Sequence, residues 1–311
     1  MVHVVNFQWT PIDTWIIVTG SLVSAACAIP GCYLFLRKQS MVADALTHSI
    51  FPGVVMAFVV TAALLSANWI DVEQVISVRT VLMLLGALIA GMLTTWVTQL
   101  LSDSQWVRGD AALGTVFTTM FAIGLLMLRR YTEYVDLDLD CVLYGNLELV
   151  GLASATVPPQ TWLCGIVVII NSCLAILFHK ELKLATFDPA LANLAGFRPQ
   201  MLHFLLLAVT TVTLVVAFQV VGSILVIGMF VLPAATASFI SKRLSSMIVV
   251  SVFVAVSAAI LGHLVAITLA DPVTRMFGLP IVRDVKTSGM IVLVGSVMLC
   301  LAMVTGPKRI C

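Results

Sequence analysis

Charge is scarce in this chain. Only 10% of its 311 residues are charged, against 61% hydrophobic, and the mean hydropathy is +1.12. A water-soluble domain carries about a quarter of its residues as charges, so that class is excluded. The formal net charge is +1, with no basic cluster of the kind that binds nucleic acid. Seven cysteines include no C-x-x-C pair. Cys27, Cys32, Cys164, Cys173 and Cys300 sit inside apolar runs, where cysteine behaves as a small hydrophobe, so no disulfide framework is expected. Enzyme signatures are missing as well: there is no G-x-x-x-x-G-K-[ST] phosphate loop and no H-E-x-x-H zinc helix. The chain is read as a non-enzyme; if ATP drives its work, another chain binds the nucleotide. Residues 1–13 lack the basic n-region of a cleaved signal peptide, so the first apolar segment is expected to stay in the mature protein.

What is present is a succession of apolar runs, each about 20 residues long, the length that crosses a bilayer as a helix. The fold class is therefore all-α, a polytopic transmembrane helical bundle forming one domain over residues 1–311. Nine spans are expected: 15–36, 41–65, 78–101, 111–128, 162–178, 201–221, 224–240, 247–269 and 287–304. An eight-span count follows if 224–240 is re-entrant. With nine spans, Arg37-Lys38, the Lys180/Lys183/Arg198 insert, Lys242-Arg243 and Lys308-Arg309 share one side, which the positive-inside rule makes cytoplasmic. The first residues and the acidic segment with Asp136, Asp138 and Asp140 fall outside. Arg129-Arg130 and the Arg275/Arg283/Lys286 loop are exceptions.

The second span opens with Asp44-Ala45-Leu46-Thr47-His48-Ser49-Ile50-Phe51-Pro52-Gly53. Asp44 and His48 are four residues apart and share one helix face, with Thr47 at its border. An intramembrane carboxylate is costly and marks a pathway or a partner. Pro52 has no N–H, so the carbonyl of His48 loses its helical donor and a kink is expected. Carboxylate oxygen, imidazole nitrogen and freed carbonyl together suit a divalent transition metal. The plainer reading is that His48 only bonds Asp44 or a neighbouring helix.

The polar insert 179–200 is expected in the cytoplasm. Asp188 suits an N-cap, Pro189 the first helical position and Gly196 the stop of a short helix over 190–195. Such a capped helix is either a docking element or a plain surface helix. The three aspartates of the outer segment face one way only if the chain is extended there, and a solvated acidic loop is the simpler reading. His263, alone in its span, reads as a histidine bonded to a neighbouring helix; His3, His179 and His203 carry no assigned role. Gly222-Ser223 and Pro233 interrupt an apolar run, and the small residues Ala234, Ala235, Ala237 and Ser238 point to close helix packing.

Together these residues resemble the metal-ion ABC transporter permeases, the membrane subunits of bacterial zinc, manganese and iron importers. The 44–53 run is similar to that family's D-A-L-S-H-A-x-x-P-G. Gly109-Asp110-Ala111-Ala112-Leu113-Gly114, Phe187-Asp188-Pro189 to Gly196, and Val221-Gly222-Ser223-Ile224-Leu225-Val226 to Pro233-Ala234-Ala235-Thr236-Ala237 follow in the family's order. The resemblance covers residues 20–305; Ala43 replaces the usual glycine and Thr47 the usual serine. The acidic segment with Tyr144-Gly145 looks more like the manganese/iron branch than the zinc branch.

The resemblance implies a type II ABC importer-like permease in the bacterial inner membrane. It also implies a second permease chain, identical or paralogous, a cytoplasmic ABC ATPase and an extracytoplasmic metal-binding protein. Asp44 and His48 match the metal-pathway pair, flanked by Thr47 and Pro52. Phe187, Asp188, Pro189 and Gly196 match the loop that contacts the ATPase. No permanently bound cofactor is implied; Mn, Fe or Zn is the cargo. An ion-coupled secondary metal transporter is the alternative, and inverted repeats, which would support it, are not evident. A permease for siderophores or cobalamin fits less well, since a chelated cargo needs no bare metal ligands.

Overall fold

A computed structural model describes residues 9–67, 75–103, 109–131, 145, 147–150, 157–276 and 286–305. The segment with Asp136, Asp138, Asp140 and Tyr144, and the pair Lys308-Arg309, lie outside the described residues. Every regular element among the described residues is a helix. In chain order these are α1 (Pro11–Leu36), α2 (Met41–Ser49), α3 (Phe51–Ser66), α4 (Val75–Asp103), α5 (Gly109–Tyr131), a single 3-10 turn (Leu147–Leu149), α6 (Pro159–Leu177), α7 (His179–Phe187), α8 (Pro189–Leu194), α9 (Pro199–Val221), α10 (Ser223–Ile240), α11 (Leu244–Met276) and α12 (Thr287–Thr305). Pro11, Pro52, Pro159, Pro189 and Pro199 each stand in the first two positions of their helix, where a missing N–H costs nothing.

Eight stretches are long and apolar enough to cross a membrane, with α2 and α3 together making one of them. The ninth expected span is present as α10, whose apolar part, Leu225–Ile240, is shorter. At 1.5 Å per residue an 18-residue helix covers about 27 Å, just under the ~30 Å of a bilayer's hydrocarbon. The reason is the turn before it. Gly222, at φ 86 and ψ 163, adopts a conformation open essentially only to glycine. Gly145 lies so close to Val221 and Gly222 that a Cβ there would collide with their backbone. The chain thus turns against Gly145, and the nearby Leu147 and Val150 are buried in the bundle. α10 nevertheless returns to the end from which α9 started, since Ser245 beyond it lies 3.0 Å from His179. The two termini of the helical region are therefore at opposite ends, as the nine-span reading requires.

α1 runs through the middle, packed on α11, α10, α6 and α9, while α3, α4 and α5 form a group of their own. Lipid offers no hydrophobic drive for helices to associate, so the contacts rest on small residues and interhelical polar bonds. Gly53 of α3 and Gly86 of α4 touch so closely that a Cβ on either would collide with the other's carbonyl. Asn171 of α6 donates to the Ala26 carbonyl at 2.9 Å and to the Thr213 hydroxyl at 2.8 Å, joining α6 to α1 and α9. Ala234 and Ala237 of α10 bury against Cys32 and Met247, so the small residues after Pro233 serve packing within the chain.

Candidate metal-pathway site

α2 buries Val42, Ala43, Ala45, Leu46, Thr47 and Ser49. What it leaves open is Met41, Asp44 and His48, one stripe at i, i+3 and i+7. Nε2 of His48 lies 3.4 Å from Oδ1 of Asp44, with the two side chains 29% and 38% exposed. A charge-assisted hydrogen bond would be about 2.7–2.9 Å. Two ligands held about 2.1 Å from one metal at a tetrahedral angle are ~3.4 Å apart. The pair is spaced as co-ligands are. Within this chain it is incomplete: no group of three His, Cys, Asp or Glu able to hold a metal occurs among the described residues.

The span breaks at Ile50, between α2 and α3, where the lost donor at Pro52 leads one to expect it. Gly124 of α5 lets that helix come against Phe51 and Pro52, since a Cβ there would meet the Pro52 nitrogen at 3.0 Å. From the same helix Phe121 packs edge-on against the His48 ring, centroids 5.4 Å apart, with Phe51 5.8 Å from Phe121. This aromatic wall fixes the imidazole, and sequence reasoning missed it because nothing local pairs residues 48 and 121. Thr47 is not on the open face. It is buried, and its hydroxyl donates to the Asp44 carbonyl at 2.7 Å.

The insert folds further than expected. α7 occupies its first half, which the sequence reading left without structure because only Leu182 and Ala185 are buried along it. Asp188 caps α8, its Oδ1 accepting from the Leu191 N–H at 2.9 Å, with Pro189 at the helix start. Gly196, at φ +85, closes it, with the Phe197 N–H donating to the Ala192 carbonyl at 3.0 Å. Phe187, Leu191 and Leu194 are exposed, Leu194 by 86%.

His263 has a different setting. Nδ1 is 3.2 Å from the Thr287 hydroxyl and Nε2 is 3.4 Å from Oδ1 of Asp13, with the histidine side chain 3% exposed. Asp13 also accepts from the Thr10 N–H at 2.8 Å and hydroxyl at 2.7 Å, and Glu148 accepts from the Thr287 N–H at 2.7 Å. The node ties α1, the 3-10 turn, α11 and α12 together, which is the bonding role its sequence suggested.

The profile of the ABC 3 transport family matches residues 11–306. The chain belongs to the ABC 3 transport family. The manganese transport system membrane protein MntD of Bacillus subtilis is 34% identical to this permease over 260 residues, 82% of this chain and 83% of the relative. The zinc transport system membrane protein TroD of Treponema pallidum is 33% identical over 228 residues, 70% and 57% of the two chains. In fold, this ABC permease resembles PsaBC from Streptococcus pneumoniae, solved in complex with a Fab, with a TM-score of 0.74 and 24% identity over 97% of this chain and 95% of that one. The protein is a multi-pass membrane permease subunit of an ABC transporter.

Proposed function

We propose that this permease carries a divalent transition metal ion, manganese, iron or zinc, into a bacterial cell across the cytoplasmic membrane. Asp44 and His48 are the pathway ligands. The observation that carries the reading is their 3.4 Å separation on the open stripe of an otherwise buried helix. Relatives named for manganese, chelated iron and zinc transport support the choice of cargo. A second permease chain, identical or paralogous, facing α2 would bring two aspartates and two histidines together and complete a transient site. Such a site holds its ion weakly enough to release it. The metal is cargo, and no resident cofactor takes part.

ATP is hydrolysed by a separate cytoplasmic ATPase that covers Phe187, Leu191 and Leu194 on the 179–200 insert, with Asp188, Pro189 and Gly196 shaping that element. An extracytoplasmic metal-binding protein delivers the ion. The direct test is uptake of manganese, iron and zinc in one assay by cells depleted of this chain. The reading requires the loss of at least one of the three and its return when the gene is restored. Uptake that persists when ATP is depleted and the ion gradient is kept would favour the ion-coupled alternative.

A further inference from the structure

A cavity of about 460 Å³ opens at the Arg37 end of the bundle, between the α1–α2 junction, α4, α9 and the insert. Three buried polar atoms without a hydrogen-bond partner belong to its lining residues: Nη2 of Arg37, Oε1 of Gln39 and Oγ1 of Thr98. Buried polar groups are normally satisfied, so three on one cavity make it a polar site whose partners the described residues do not supply. The charge balance says which sort. Among the described residues Arg37 lines the cavity and no carboxylate does. The partners found for its guanidinium are uncharged: the Thr186 hydroxyl at 3.3 Å and Nδ1 of His203 at 2.7 Å. An arginine only donates, so that Nδ1 accepts and the ring's own N–H sits on Nε2. Burial pulls the Arg37 pKa below its usual value, because desolvation disfavours the charged form.

The cavity is not the metal route. Val42 and Leu46 line it from α2. Asp44 and His48, two residues further along in each case, lie on the opposite face of that helix. A bare metal ion would also meet the guanidinium with like charge. What fits is an anion, held by a planar donor fork whose shape matches phosphate or carboxylate oxygens. Asn193 and Gln200 supply further polar groups on the insert side.

We propose that this cavity binds an oxyanion of the phosphate class through Arg37, bridging the insert to the junction that leads into Asp44. The source is either free phosphate or a phospholipid headgroup, and the site does not depend on which metal the permease carries.

The test uses the purified full-length chain. In detergent, potassium phosphate is compared with potassium chloride at equal ionic strength. In nanodiscs, phosphatidylcholine is compared with phosphatidylcholine plus phosphatidylglycerol. A ligand well above its Kd should raise Tm by roughly 5 °C. Arg37→Gln should abolish the rise. Because Arg37 also ties three elements together, Thr98→Asp is the second variant: it keeps the arginine and supplies a tethered carboxylate, so Tm should rise without ligand and the response to ligand should vanish. A phosphate response lost in both variants identifies a free oxyanion; a response to phosphatidylglycerol alone, lost in both, identifies a headgroup. No response to either, or one that survives in Thr98→Asp, overturns the proposal. So does stabilisation that appears only when an ATPase is added, because the occupant would then be a side chain of that partner.

Discussion

The permease holds two histidine–aspartate pairs with the same 3.4 Å separation and opposite surroundings. His263 and Asp13 bridge two helices, and their remaining polar atoms are engaged by Thr10 and Thr287, with Glu148 completing the node through the Thr287 N–H. Asp44 and His48 lie on one helix, face outward, and among the described residues have an aromatic edge beside them. Separation alone therefore does not distinguish a ligand pair from a structural tie. The distinction lies in what else each atom bonds and which way it faces. His263, whose Nδ1 meets Thr287 while Thr10 holds Asp13, serves the fold; on the proposed function, the open pair on α2 serves an ion that arrives there.

The comparison predicts effects that separate cleanly, beginning with the largest. His48→Ala removes the nitrogen that favours transition metals. Metal uptake should fall by about 10–100-fold and discrimination against calcium and magnesium should weaken. Tm of the purified chain should not change. Radiometal uptake and thermal unfolding of the same preparation check both halves. His263→Ala should do the reverse. It leaves Asp13 and Thr287 without a buried partner, a loss of about 1–3 kcal/mol, which should lower Tm by roughly 5 °C. Uptake per assembled molecule should change less than about twofold, as expected of a surface or structural site remote from the pathway. Equal losses of uptake in the two variants would erase the distinction drawn here. Thr47→Val should have the smallest effect. The hydroxyl serves the Asp44 carbonyl rather than the open face, and a net hydrogen bond is worth about 1 kcal/mol, so uptake should stay within about fivefold of the parent.

Much of this was legible in the sequence for a physical reason. Hydrocarbon demands long apolar runs, and α1, α9, α11 and α12 announce themselves by length alone. The i, i+4 spacing of Asp44 and His48 and the effect of Pro52 are local, as are the Asp188 cap and the Gly196 stop. What escaped is long-range. Nothing near Gly53 says that it meets Gly86, and nothing near His48 names Phe121. The bounds of α10 were legible from the Gly222-Ser223 break, but what holds that break was not. Its length is set by a turn at Gly222 that depends on Gly145, far away in the chain. α7 was missed because an insert helix with two buried positions leaves little apolar periodicity to find. Thr47 borders the open face as its spacing suggests, but its burial and the turn of its hydroxyl onto the Asp44 carbonyl are not legible from spacing.

The central claim is that Asp44 carries charge for a passing metal and not for the fold. Asp44→Asn keeps size and hydrogen-bonding capacity while removing that charge. The decisive measurement is metal uptake by the assembled complex bearing Asp44→Asn, normalised to the amount of complex in the membrane. The account predicts normal assembly, with uptake of manganese, iron and zinc alike reduced by about 100-fold or more, the consequence of moving a divalent ion through low dielectric without its counter-charge. Uptake at the parental rate from a normally assembled Asp44→Asn complex would contradict it.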